Sequence, residues 1–149
     1  MANPSGDKGT KFATGIVRYL HSRGLTSARR EVQHGNKDQG DIHVGVAGRL
    51  TVIEAKWRPK LPSPKQVAAW MVETDTEAVQ AGADLSALVY NRPGYGTANA
   101  GHWLVVMRRD EFMWLASRGG FEQAATNEIV TIDLDQFAGL LAAMPGREK

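Results

Sequence analysis

The segment from Gly40 to Trp57 constrains the fold of this chain more tightly than any other stretch. It holds two strand-like runs, Gly40-Asp41-Ile42-His43-Val44-Gly45-Val46 and Arg49-Leu50-Thr51-Val52-Ile53-Glu54-Ala55-Lys56-Trp57, around Ala47-Gly48. Two such runs about a glycine-bearing turn predict a β-hairpin. If Val46 faces Arg49, Asp41 falls directly opposite Glu54. Side chains two apart on a strand share a face, so Lys56 joins them. Facing carboxylates repel and destabilise a hairpin. A chain that holds them there and adds an ammonium is arranged to bind a divalent cation.

At 149 residues the chain is long enough for one domain with its own core. It has no cysteine, which excludes disulfides and thiolate metal sites. No apolar run is long enough to cross a bilayer, and the start carries no apolar signal segment. A cytoplasmic location, with no membrane partner, is the default expectation. The net charge of +2 is unevenly spread. Arg18 to Lys65 holds ten basic and four acidic residues, a local charge of +6 against −4 elsewhere. A basic segment enclosing a metal-binding pair of acids suits a polyanion whose phosphates approach the cation.

The remaining periodicities predict a helix over 8–23, with Phe12, Ile16, Val17 and Leu20 at helical spacing. A short edge strand is expected at 28–32, then a polar loop over 34–40. Ser63, Pro64 and Gln66 mark the start of a second helix, which Gly82 ends after Ala81. Its inward side reads Val67, Trp70, Met71, Thr74 and Ala78. Strands follow at 86–90 and 102–107, separated by a flexible loop over 92–101. A short helix over 110–116, a strand over 128–132 and a closing helix capped by Asp133 or Asp135 complete the chain. The element order implies a mixed sheet with helices on its faces.

Gly40-Asp41-Ile42, then Val52-Ile53-Glu54-Ala55-Lys56, with Lys8-Gly9-Thr10-Lys11-Phe12 at the head of the first helix, resemble the PD-(D/E)XK nuclease superfamily. The resemblance is nearest to Holliday junction resolvases and related phage and bacterial endonucleases. It implies an α/β, restriction-endonuclease-like αβββαβ core over about 8–107. A small C-terminal strand-helix addition over about 108–149 completes a single domain, 1–149. It also implies Mg²⁺ or Mn²⁺, phosphodiester hydrolysis in branched double-stranded DNA, a homodimer, and a bacterial or phage-infected cell as the setting. Chains of this kind usually carry a Glu one residue after the Phe of the opening motif. Here that residue is Ala13. Three readings follow: an engineered inactive variant, a naturally weakened nuclease, or replacement by another acid, with Glu73 and Glu77 the nearest candidates. The first is favoured, because alanine preserves the helix. A catalytically silent branch-binding protein on the same fold is the alternative function.

The chemistry assigns roles to residues. Asp41 and Glu54 offer the hard oxygen ligands that Mg²⁺ prefers, and the Ala55 carbonyl is an additional candidate ligand. Lys56, beside two acids, stays protonated and gives electrostatic help rather than general-base action. Arg29, Arg30 and Lys37 flank the approach to Asp41, while Arg58, Lys60 and Lys65 follow the Glu-Ala-Lys motif. All six are candidates for phosphate contacts that position DNA without reading its sequence. Trp57, next to Lys56, is the tryptophan best placed for a DNA contact.

Overall fold

Among the described residues, six strands form one sheet in sequential order, β1-β2-β3-β4-β5-β6. The computed structural model describes residues 4–31 and 41–146. Lys37, Gly40, Val32 and the expected polar loop over 34–40 lie outside the described residues. The elements are α1 (Pro4–Ser22), β1 (Arg29–Arg30), β2 (Ile42–Val46), β3 (Arg49–Lys56), α2 (Pro64–Ala81) and β4 (Leu85–Tyr90). After a 3-10 helix (Thr97–His102) come β5 (Leu104–Arg108), α3 (Arg109–Ala116), β6 (Ile129–Asp133) and α4 (Leu134–Ala142). The first six elements give the αβββαβ order. Among the described strands, β3 and β4 run parallel and the other neighbouring pairs are antiparallel. A parallel pair needs a crossover, and α2 supplies it.

The hairpin closes with Val46 opposite Arg49 and Ile42 opposite Ile53. Ala47 and Gly48 both take positive φ in its two-residue turn, the backbone twist that matches the flanking strands. Alternation along β3 then divides the side chains between two layers. Ile53, Ala55 and Trp57 pack with Phe12, Ala13 and Ile16 of α1. Phe137, Ala138 and Leu141 of α4 and Leu115 of α3 complete that same core. On the other face, Val67, Trp70 and Met71 of α2 cover Leu88, Tyr90 and Val106. Glu54 pairs with Leu88 in the parallel register and so shares the α2 face.

Helix α2 starts and stops where its sequence dictates. The Ser63 hydroxyl accepts from the Gln66 N–H, Pro64 opens the first turn, and Gly82 ends the helix in a left-handed conformation. Its buried stripe is Val67, Trp70, Met71, Thr74 and Glu77. A glutamate, not Ala78, takes the last inward place. The expected loop over 92–101 is partly helical: Ala100 is buried, and the Trp103 N–H bonds to its carbonyl. The C-terminal segment is less separate than its sequence suggests. β6 extends the central sheet along β5, and the Asp133 capping box opens α4, which fills the main core.

Candidate metal and phosphate site

Backbone pairing brings the site together at the C-terminal end of β3. The β2–β3 register ends at Ile42 opposite Ile53, and the Asp41 N–H bonds to the Ile53 carbonyl at 3.2 Å rather than pairing with Glu54. The Asp41 carboxylate then accepts the Ala55 N–H at 2.8 Å. Beside it lies Glu54, only 4% exposed. The Lys56 ammonium stands 3.4 Å from Glu54 Oε1 and 2.9 Å from Glu73 Oε2. Glu73 and Glu77 are four apart on α2, so both turn the same way, toward β3. Carboxylate oxygens of Glu54, Glu73 and Glu77 all lie within 4.8 Å of one another.

This packing perturbs the charges. Burial pushes the Glu54 carboxyl up to about 7. The negative charge of Asp41 adds to the rise, while a hydrogen bond from the Glu77 carboxyl and the Lys56 charge pull against it. Glu54 Oε2 is buried without an ordinary hydrogen-bond donor; the neighbouring carboxyls of Glu77 and Asp41 are close enough to share a proton with it. Burial pulls the Lys56 ammonium down, but its hydrogen bond to Glu73 and the charge of Glu54 outweigh that, and its pKa ends above the usual value. Lys56 is therefore a fixed positive charge at neutral pH.

Asp41, Glu54 and Lys56 meet at one end of the hairpin. Ala55 takes part through its N–H, given to Asp41. The close trio of acids is Glu54, Glu73 and Glu77, with Asp41 at its side rather than within it. Ala13 is 5% exposed and sits in the apolar core on the opposite face of the sheet, among the residues that Ile53 and Ala55 touch. Arg29 and Arg30 form the exposed edge strand β1, whose next residue, Glu31, bonds through its N–H to the Asp41 carbonyl. Arg29 is paired with Glu31 at 2.9 Å. The Arg58 guanidinium lies over the Trp70 ring, on the same face as the acids. Lys60 and Lys65 are exposed nearby in the chain, before and within the first turn of α2. Lys37 lies outside the described residues.

Sequence reasoning named Glu73 and Glu77 only as substitutes. The signal for Glu77 was present: it lies seven residues after Trp70 and three after Thr74, on the inward stripe. A carboxylate on a core stripe needs a partner. Glu111 carried no such signal. It accepts the Ser86 N–H at 2.9 Å across the sheet, away from this site.

No family model matches the chain, and no curated protein matches its sequence. Among solved structures, the chain is similar to Archaeoglobus fulgidus Hjc, a Holliday junction resolvase from an archaeal hyperthermophile. The two are 21% identical, with 89% of this chain and 96% of that chain covered and a TM-score of 0.48. At that level the similarity carries no functional inference.

Proposed function

We propose that this protein is a Mg²⁺- or Mn²⁺-dependent endodeoxyribonuclease that hydrolyses phosphodiester bonds in branched DNA, with the four-way Holliday junction as its substrate. One observation carries the reading: Glu54 is buried and has two further carboxylates within 4.8 Å. Carboxylates so close cannot all ionise unless something positive stands between them. Lys56 reaches Glu54 and Glu73 and supplies a single charge. An all-oxygen donor set fits Mg²⁺ or Mn²⁺, which bind through a few carboxylates and keep several waters. Glu54, Glu73 and Glu77 would hold the ion, with Asp41 beside them.

When bound there, the cation supplies Lewis acidity to a phosphate oxygen and lowers the pKa of water. Lys56 holds a positive charge where negative charge develops on the phosphate. Asp41 clamps the start of β2 to Ala55 and so fixes the strand end that carries Glu54. Arg29 and Arg30 on one flank, and Arg58, Lys60 and Lys65 on the other, would hold the phosphate backbone. Junction cutting requires matched incisions on two strands, so a twofold dimer belongs to the proposal.

A second reading, a catalytically silent branch-binding protein, draws support from Ala13 and from the engagement of Lys56 by Glu73. One assay separates the two. The protein and its Glu54→Gln variant are incubated with four-way junction, flap and linear duplex DNA, with Mg²⁺ or with EDTA. Junction cleavage that needs both Mg²⁺ and Glu54 is the expected result. Tight junction binding without cleavage would favour the silent module, and absence of binding to all three substrates would end both readings.

A further inference from the structure

A second concavity opens at the same end of β3, on the opposite face of the sheet. Trp57 follows Lys56, and alternation turns its ring away from the acids toward α1. The ring there lines a cavity of about 240 Å³ with Lys8, Lys11, Phe12, Thr97 and Trp103. That is the space of about eight waters, enough for one planar ring system.

The walls are aromatic and the rim is cationic. Phe12 and Trp103 form the floor, with ring centroids 4.5 Å apart. Both are nearly inaccessible, and the indole N–H of Trp103 is spent on the Tyr95 carbonyl at 2.8 Å. Trp103 cannot retreat toward α1, because a Cβ at Gly15 would already lie 3.0 Å from its ring. The floor is thus a fixed apolar surface with no free donor. Trp57 is only partly buried, and the Lys8 ammonium lies 4.7 Å from its ring centroid. An exposed cation on an aromatic face is a weak contact, and a stacked base outweighs it. A base entering the cavity would release Lys8 for a phosphate, with exposed Lys11 beside it.

From this we infer that the Trp57 cavity holds one nucleotide that leaves its base pair at the branch point of the bound DNA, its base stacked on Trp57 and its phosphate met by Lys8 and Lys11. The inference rests on the nuclease reading and deepens it, since Lys56 and Trp57 are neighbours that face the acids and the cavity respectively. A strand passing the end of β3 then has its base drawn to one face and its phosphate presented at the other. Stacking surfaces without a donor–acceptor pattern accept any base, so the selection is for an unpaired nucleotide and not for sequence.

The test measures affinity by fluorescence anisotropy in EDTA, on duplexes identical except for one unpaired nucleotide. The unsubstituted protein should prefer the bulged duplex. Trp57→Ala should weaken that complex about 5- to 150-fold, the range for loss of one base stack, and leave the paired duplex nearly unaffected. Trp57→Phe should retain most of the preference. Lys8→Ala with Lys11→Ala, both at exposed positions, should weaken the bulged complex and reduce its salt dependence. No preference in the unsubstituted protein, or equal losses on both duplexes, would overturn the inference. Mn²⁺ titration of the unsubstituted protein and of Glu54→Gln keeps the two ideas apart. If the preference is absent while Glu54→Gln still abolishes Mn²⁺ binding, the cavity assignment is wrong and the metal site stands.

Discussion

At the scale of single residues, Glu54 is a carboxylate held against its own stability. Its raised pKa means that the ionised form is disfavoured, with burial outweighing the help from Glu77 and Lys56. Without metal, Glu54→Gln should therefore stabilise the fold above pH 7 by about 1–3 kcal/mol. Mn²⁺ should raise the melting temperature of the unsubstituted protein and leave that of the variant unchanged, because only a site that binds the folded state shifts unfolding. Thermal melts with Mn²⁺ and with EDTA measure both effects; a variant less stable than its parent in EDTA would make Glu54 a structural ion-pair partner. Ala13→Glu bears on the missing acid. The position is buried among Phe12, Ile16 and Ile53, so an ionised carboxylate there costs several kcal/mol, and a lowered melting temperature without gain of cleavage is expected. Glu111 gives a separate pH signature. Burial pushes its carboxyl up to about 7; Asp110 and Asp75 add to the rise, while the Ser86 N–H and Arg108 oppose it. The folded state thus holds this proton more tightly than the unfolded chain. Its contribution is full below about pH 4.5 and is lost as pH rises through about 7. Glu111→Gln should flatten the fall in stability between pH 5 and 8 by about 2–3 kcal/mol, read from urea melts across that range.

At the scale of elements, Gly9 and Gly15 of helix α1 have opposite consequences. Gly9 has open space where a Cβ would be, and Gly15 has the Trp103 ring at 3.0 Å. Gly9→Ala should gain up to about 1 kcal/mol of helix propensity. Gly15→Ala gains the same propensity but must displace a ring fixed by its hydrogen bond to Tyr95, and overpacking costs about 1–3 kcal/mol. The pair should therefore differ by at least about 1 kcal/mol in denaturant melts, and equal effects would mean that Trp103 moves freely. The ends of α2 were legible in the sequence because capping is local. Ser63, Pro64 and Gly82 needed only their neighbours, whereas the sequence left the α4 cap open between Asp133 and Asp135, and the capping box with Gln136 decides for Asp133. The 3-10 helix over Thr97–His102 was not legible. Its glycine and alanines read as loose chain, and what orders them is the non-local approach of Gly101 to Tyr19 and of Trp103 to Phe12.

At the scale of the whole molecule, the basic residues stand on two flanks of one strand end, β1 on one side and the β3–α2 connection on the other. If Arg29, Arg30, Arg58, Lys60 and Lys65 each neutralise a phosphate, the logarithm of DNA affinity should fall against that of salt with a slope of about −4.5. Affinity would then drop several hundred-fold between roughly 50 and 200 mM salt; a slope near zero would remove these residues from the interface. By itself the sequence determined the hairpin, its register and the two long helices, because alternation, turn chemistry and caps act over a few residues. It thereby placed Asp41, Glu54 and Lys56 at one strand end. Only the tertiary structure decided which acids join them. Packing α2 across β3 brings Glu73 and Glu77 to Glu54, while Ala13, carried on α1, belongs to the other face. Which helix covers which face of a sheet is a property of the crossover and of core packing, and no local pattern of residues encodes it.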